Sequence, residues 1–439
     1  MEWVSLLGVF LSLFVFIWFA YKGFNVIMLS VVCSVIVCAF GAMNPITGLR
    51  TTFMPSFAAF ASNWFLVYLF SAVFAQMMGD SGAAKSIAVR LAAICRYRPK
   101  SQRYLAVLSI PLINSILTYG GVSPLVIVFI MVGIARDLFG DLDILWHFYG
   151  VASLGSATFT LGLLPGSPDV INLVPTTYLG TTPTAAPVLG IIGAVIQIVL
   201  SCVYIKIAMQ KAERDGEGFL PTGARIAADA TPPQTGRQTY GILRSIAPCI
   251  VLLVVMNILK QPPVLALICA NLAAIVLFRK NLKLKAAVAK GVPIGVNTCA
   301  LICTTVAFGS VVAASPAYSL VIGGLDRLDF LPPAFQIFVC VNIVAALTSS
   351  GTSAVTITMD QFATRFLALD VAPQAIHRLS SATSLGLNTL PHSVGVVNAA
   401  GAAKLTHREI YKHYGWITVV FPVVASFVLT VLISLGFVY

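Results

Sequence analysis

The sequence predicts an all-α polytopic membrane protein built from two inverted repeats. Three observations predict this class. The 439 residues are 58% hydrophobic and only 10% charged, whereas soluble domains are about 25% charged. Apolar stretches of about 20 residues recur along the chain and match the thickness of a bilayer core. The basic residues fall mostly in short clusters between these stretches, which is typical of orientation signals rather than of a nucleic-acid surface.

Each half of the chain contains five predicted spans. The first repeat, 1–209, has spans near 3–20, 24–42, 61–79, 147–175 and 186–207. The second repeat, 244–439, has spans near 244–259, 262–278, 292–314, 374–400 and 415–438. The segment 210–243 mixes both charge signs with Gly and Pro, which predicts a cytoplasmic linker.

Two further stretches, 104–137 and 334–368, are long enough for helix pairs but are interrupted by polar residues at their centres. If each stretch enters and leaves the membrane on one face, 22 of the 27 Lys and Arg residues lie on the cytoplasmic side. A true crossing at 104–137 would instead place the basic clusters 85–103 and 206–244 on opposite faces. Both stretches are therefore predicted to be re-entrant hairpins, and both chain termini are predicted to lie outside.

The second half enters the bilayer in the opposite orientation because the first half has an odd number of crossings. The sequence contains a matching internal similarity. LTYGGVS (117–123) aligns with LTSSGTS (347–353), and SATFTLGLLPGSPDVIN (156–172) aligns without a gap with ATSLGLNTLPHSVGVVN (382–398). The second pair carries proline and polar residues inside spans 147–175 and 374–400. These two spans are therefore predicted to be broken helices.

The two hairpin centres and the two breaks are predicted to form one binding site. Broken helices expose N–H groups at half-helix N-termini, each with about half a positive charge, and such ends can hold an anion. Freed carbonyls and hydroxyls can hold a small cation. The predicted substrate-binding residues are Thr118, Tyr119, Gly120, Gly121, Ser123, Gly166, Ser167, Ser350, Gly351, Thr352, Ser353, Asn388, Thr389, His392 and Ser393.

Asp169 and His392 are the ionisable residues at the breaks and are the candidates for the coupling-ion site. Asp169 could bind a cation or a proton, or could cap the outer half-helix. His392 could carry a proton, donate to a substrate carboxylate, or cap a freed carbonyl. The hydroxyls at the hairpins have a structural alternative in helix packing. His377 and Arg378 are predicted to lie at the outer membrane interface, with their polar ends among the headgroups.

Three segments, IPLINSILTYGGVSPLVIVFIMVGIARDLF, FTLGLLPGSPDV and SGTSAVTI, resemble the gluconate permease (GntP) family of the ion transporter superfamily. The resemblance implies that the hairpins and broken helices form a transport domain. This domain would move as an elevator against a scaffold made from the first three spans of each repeat, 1–80 in the first. It also implies a homodimer in a bacterial cytoplasmic (inner) membrane and proton-coupled uptake of sugar acids or related carboxylates.

The chain departs from that family at the first break. Where the family has a Pro-Pro-His-Pro-Gly-Pro run, this chain has Leu-Pro-Gly-Ser-Pro-Asp at 164–169, so the family's His is absent and Gly166 and Ser167 lie at the centre of the run. The first hairpin centre also lacks the family's acidic residue. Both H⁺ and Na⁺ therefore remain candidates for the coupling ion, and a short hydroxycarboxylate fits the apolar surroundings.

The leading interpretation is a symporter for a small organic anion. A sodium/proton antiporter is the main alternative, and it would need Asp169 as its acidic residue. A channel is a third possibility, although inverted broken helices favour alternating access. The sequence contains no phosphate-binding loop, metal-ligand cluster or nucleophile–base arrangement. It therefore predicts no enzyme activity, no metal and no cofactor.

Overall fold

The computed structural model describes residues 2–21, 24–83, 86, 102–122, 124–227, 240–318, 320, 330–348, 350–391 and 393–437. Within these ranges every regular element is a helix. Four helices are long and apolar enough to cross a membrane by length and composition: Pro45–Asp80, Pro187–Arg214, Leu284–Ala314 and His407–Ser434. The described part of the chain is consistent with a helical membrane protein.

The first half contains nine helices in the described ranges and one 3-10 segment, Trp146–Ala152. The helices are α1 (Glu2–Tyr21), α2 (Val26–Phe40), α3 (Pro45–Asp80), α4 (Gln102–Tyr119), α5 (Pro124–Asp141), α6 (Ser153–Ser156), α7 (Phe159–Gly162), α8 (Val170–Leu179) and α9 (Pro187–Arg214).

The second half and the segment before it contain nine further helices in the described ranges. They are α10 (Ala224–Ala227), α11 (Ile242–Ile258), α12 (Pro263–Phe278), α13 (Leu284–Ala314), α14 (Pro333–Thr348), α15 (Gly351–Leu367), α16 (Pro373–Thr383), α17 (Val394–Ala403) and α18 (His407–Ser434). Each long helix α3, α11 and α18 includes one π-helical turn.

Polar side chains set several helix starts. The Asn25 side chain accepts a hydrogen bond from the backbone N–H of Ile27 at 2.9 Å and begins α2. Asn44 does the same at the start of α3, where Pro45 occupies the first helical position. Such caps satisfy N–H groups that have no partner within the helix. In both cases a single polar residue in a short connection caps the first turn of an apolar helix.

Each interrupted stretch folds as a helix pair whose members contact one another, α4 with α5 and α14 with α15. The first broken span is divided more often than the sequence predicts. Its helices α6 and α7 are only four residues long, and Gly155 inside α6 has a φ of 86°. Only glycine adopts such a backbone conformation without strain. The proline-centred pattern in span 147–175 indicated a break around Pro165 but not this earlier interruption.

The helices form two packed groups. In the first group α3 and α13 pack along much of their length, joined by α1, α2, α11 and α12. Gly291 and Gly295 of α13 permit the close approach, because a Cβ at either position would lie within 2.9 Å of the Cα of Val73 or Leu69 in α3. Small residues serve this purpose in membrane helix packing. The second group contains α4 to α9 and α14 to α18.

The predicted linker is partly folded onto the second group. Helix α9 continues to Arg214, and the side chain of Phe219 packs against Trp146 with ring centroids 5.8 Å apart. Arg225 of α10 donates two hydrogen bonds to the Glu409 carboxylate, at 2.8 and 3.1 Å. Residues 228–239 lie outside the described ranges. The linker is therefore anchored at the start of α18 rather than being free along its whole length.

Removal of the Glu409 charge is expected to release this anchor. The Glu409 carboxylate accepts both hydrogen bonds from Arg225, and the opposite charges strengthen them. At pH 7.5, Glu409→Gln should speed tryptic cleavage after Arg225 about two- to five-fold, as expected for an exposed ion pair. Mass spectrometry of the fragments measures this rate. The matched control is Glu217→Gln, and equal cleavage of both variants would contradict the anchor.

Candidate binding site

A cavity of about 410 Å³ lies between the two helix groups. Residues of both hairpin centres and both broken spans line it, together with one face each of α3 and α13. A volume of this size is typical of a site for a small molecule. The two hairpin centres and the two breaks lie far apart in the sequence, but in the structure they line the same cavity.

Ten of the sixteen predicted substrate- and ion-binding residues line this cavity. They are Thr118, Gly121, Asp169, Ser350, Gly351, Thr352, Ser353, Asn388, Thr389 and Ser393. Ser123 and His392 lie outside the described residues. Tyr119, Gly120, Gly166 and Ser167 are described but do not belong to the cavity wall.

Those four residues pack instead around the first break and against α11. The Tyr119 hydroxyl donates to the carbonyl oxygen of Pro165 at 2.8 Å. A Cβ at Gly120 would lie 2.7 Å from the Cβ of Cys249, so this glycine allows close contact with α11. Gly166 has a φ of 79°, and its carbonyl accepts a hydrogen bond from Asn257 at 2.9 Å.

Ser167 is fully buried. Its hydroxyl accepts a hydrogen bond from the backbone N–H of Asp169 at 3.3 Å. The four predicted residues outside the wall therefore take part in the packing around the first break and do not line the cavity.

Four helices of the hairpins and broken spans begin at the cavity wall, and α2 of the first helix group also begins there, at Val26. The N-termini of α5, α8, α15 and α17 each contribute lining residues, at Pro124, Val170, Gly351 and Gly395. Each N-terminus carries about half a positive charge from its aligned peptide dipoles. Among the described lining residues there is no Lys, Arg or His. Within the described wall, an anion would therefore meet backbone N–H groups and neutral side-chain donors rather than a cationic side chain.

Asp169 carries the one carboxylate among the described lining residues. One of its carboxylate oxygens accepts a hydrogen bond from the backbone N–H of Ile171 at 2.9 Å, so Asp169 caps α8. The capping interpretation is confirmed. The same side chain also lines the cavity, so the cap does not remove Asp169 from the candidate ion site.

Two buried polar groups of the wall have no hydrogen-bond partner within the described part of the chain. They are the Asn388 side-chain oxygen and the Ser353 hydroxyl. Ser353 is completely buried and Asn388 is 7% exposed. A buried polar group without a partner costs about 1–3 kcal/mol, which a bound molecule or water can recover. These atoms are therefore suitable contacts for a polar ligand.

The first helix group contributes polar residues that were not among the predicted site residues. Tyr68 and Ser71 of α3 line the cavity, as do Asn297, Thr298 and Thr305 of α13. The sequence contains a signal, because residues three, seven and eight positions apart share one face of a helix. The signal is weak because these helices are otherwise apolar and carry no proline-centred break.

The prediction for Arg378 was wrong. Its side chain is fully buried instead of reaching the membrane interface, and all the hydrogen bonds that the structure shows for its guanidinium are to neutral oxygens. His377 is also fully buried, and its ring contacts the Thr181 hydroxyl at 2.7 Å. Their position near the end of a predicted span suggested exposure. The loop 180–186 covers them in the folded protein.

Comparison with models of known protein families finds no match to the chain. An uncharacterized transporter of Bacillus subtilis (strain 168), YxjC, is 26% identical to the chain. The similarity covers 98% of this chain and the whole of the relative. The chain is thus similar to a transporter over almost its full length, in agreement with a cavity between apolar helices.

Proposed function

We propose that the protein is a secondary active transporter that takes up a small organic carboxylate, such as a short hydroxy acid or a sugar acid, together with H⁺ or Na⁺. The observation that supports this most strongly is the convergence of four helix N-termini on one cavity. Helix N-termini bind anions without a cationic side chain. Similarity to a transporter over 98% of the chain supports the same class of function.

The wall suits a molecule that is partly polar and partly apolar. Hydroxyls of Thr118, Thr352 and Ser353 alternate with apolar side chains such as Val67 and Leu301. A carboxylate would bind the backbone N–H groups at the helix starts, and its hydroxyl groups would bind the side-chain oxygens. This combination of groups favours a hydroxycarboxylate over a purely apolar acid.

Asp169 is the proposed coupling site. Its carboxylate stands beside the N-terminus that would bind the anion, so the two negative charges would repel each other unless a cation or proton accompanies the substrate. This repulsion provides a physical reason for coupled transport. His392 remains a predicted participant, as does Ser123.

The architecture fits alternating access. We propose that 1–209 and 244–439 are inverted repeats and that the second helix group moves as a transport domain against the first. The cavity lies between the two groups, which is where such motion would expose it to either side. By the resemblance to the gluconate permease family, we also propose a homodimer in a bacterial cytoplasmic membrane, with an elevator motion.

Uptake into proteoliposomes tests the proposal. Labelled lactate, glycerate and gluconate should be supplied with an imposed proton gradient, a sodium gradient, or neither. We expect one acid to accumulate only when a gradient is present. Absence of accumulation, together with sodium-driven proton movement reported by an internal pH dye, would reject symport in favour of an antiporter. Gradient-independent flux would indicate a channel.

A further inference from the structure

Arg378 of α16 is 0% exposed, although it belongs to a chain with few polar groups in its spans. Its guanidinium donates to the carbonyl oxygens of Gly162 at 2.6 Å and Ala185 at 2.7 Å, and to the Asn172 side-chain oxygen at 3.0 Å. The guanidinium also donates a longer hydrogen bond, 3.4 Å, to the carbonyl oxygen of Pro183. Within the described ranges these acceptors are all neutral. A buried charge without a carboxylate partner is costly, so its retention requires a reason.

The acceptors lie on both sides of the first break. Gly162 is the last residue of α7, and Asn172 lies in the first turn of α8. The residues between them include Pro168 to Ile171, which line the cavity. Arg378 therefore holds the two ends of a segment whose middle forms the cavity wall.

The neighbouring side chains make this connection rigid. The Asn172 amide donates to the carbonyl oxygens of Ser167 and Pro183, both at 2.9 Å. A Cβ at Gly190 of α9 would overlap the Leu163 carbonyl and lie 3.1 Å from Nε of Arg378. The guanidinium is thus enclosed by protein atoms, and its planar fork fixes several carbonyls in one geometry.

The other repeat has no equivalent residue. Continuing the ungapped alignment of 156–172 with 382–398 four residues towards the N-terminus pairs Arg378 with Ala152. The counterpart of Asn172 is Asn398, which lines the cavity. The two breaks are therefore held differently: the first by a buried network and the second with its asparagine at the cavity.

We propose that Arg378 is a positioning residue that fixes the first break and thereby holds the N-terminus of α8 at the cavity wall. The assignment of a transport role to that wall rests on the proposed function. The geometric part of the proposal does not rest on the proposed function, because it concerns the α7–α8 connection alone. The forked geometry of Arg, rather than its charge, is the required property, so Lys is not an adequate substitute.

Hydrogen exchange measured by mass spectrometry tests the geometric part without any substrate. In Arg378→Lys, amides of 163–172 should exchange about ten-fold faster or more, as expected for the loss of hydrogen bonds to a charged group. Peptides from α3 and α13 should be unchanged. The matched control is Arg50→Lys, at an exposed arginine of α3. Unchanged exchange at 163–172, or equal acceleration throughout the molecule, would overturn the proposal.

Transport kinetics test the positioning role. With whichever of lactate, glycerate and gluconate accumulates, Arg378→Lys should raise KM about ten-fold or more, with a smaller change in Vmax per folded molecule. Asn172→Ala should raise KM in the same direction, and the double variant should be less than additive because the two residues share one network. A loss of Vmax at constant KM would show a merely structural role and reject the proposal. If wild-type protein accumulates none of the acids, hydrogen exchange alone decides the geometric part.

Discussion

Asp169→Asn is expected to abolish gradient-driven uptake while leaving the fold intact. Asn is as good a helix cap as Asp, so the bond to the Ile171 N–H can be retained and α8 should still begin at the same place. The amide, however, neither binds a proton nor carries a charge for Na⁺. Uptake into proteoliposomes, divided by the amount of protein that elutes as a single species in gel filtration, measures the effect.

The control for this variant is Asp360→Asn. Asp360 is an exposed carboxylate on α15 that accepts a hydrogen bond from Tyr178 at 3.3 Å and does not belong to the cavity wall. It should transport normally. If Asp169→Asn accumulates substrate with the same dependence on the imposed gradient as wild type, Asp169 is a cap alone and the coupling site lies elsewhere.

Gly155→Ala should destabilise the protein more than Gly180→Ala, a second single-methyl substitution in the second helix group. The residue has φ 86° and ψ −61°, which an L-residue adopts only with strain. A Cβ would also overlap the Ser115 hydroxyl and lie 2.8 Å from the Ser115 Cβ of α4. Strain and overpacking together should cost about 2–5 kcal/mol. The apparent melting temperature in detergent, followed by fluorescence-detected gel filtration, should fall by several degrees.

Gly180→Ala separates the two contributions. Gly180 also has a positive φ, 63°, but no atom lies within 4 Å of its hypothetical Cβ. It should therefore show only the backbone cost, roughly 1 kcal/mol. Equal melting temperatures for the two variants would mean that α4 moves away from Gly155 without cost, and would contradict the tight packing of the first hairpin on the first broken span.

Much of the helical architecture could be predicted from composition and local pattern. Apolar length predicted long apolar helices, and Pro165 with its polar neighbours identified the break before α8. The Asp169 cap was also foreseeable, because an Asp directly before an apolar helical segment is a local signal. Ten of the predicted site residues line one cavity because the same residue types that break a helix also provide ligand-binding groups.

The points where backbone regularity fails can be read from the sequence, because helix breaking depends on neighbouring residues in the chain. Which polar groups meet depends on how distant segments pack together. Tyr68 and Asn297 join the cavity because α3 and α13 present one face to it, and Gly120 and Gly166 leave it because α11 packs on them. Arg378 is buried because loop 180–186 and α7 bring their carbonyls to it. Such contacts join residues that are far apart in the chain, so no local sequence pattern predicts them.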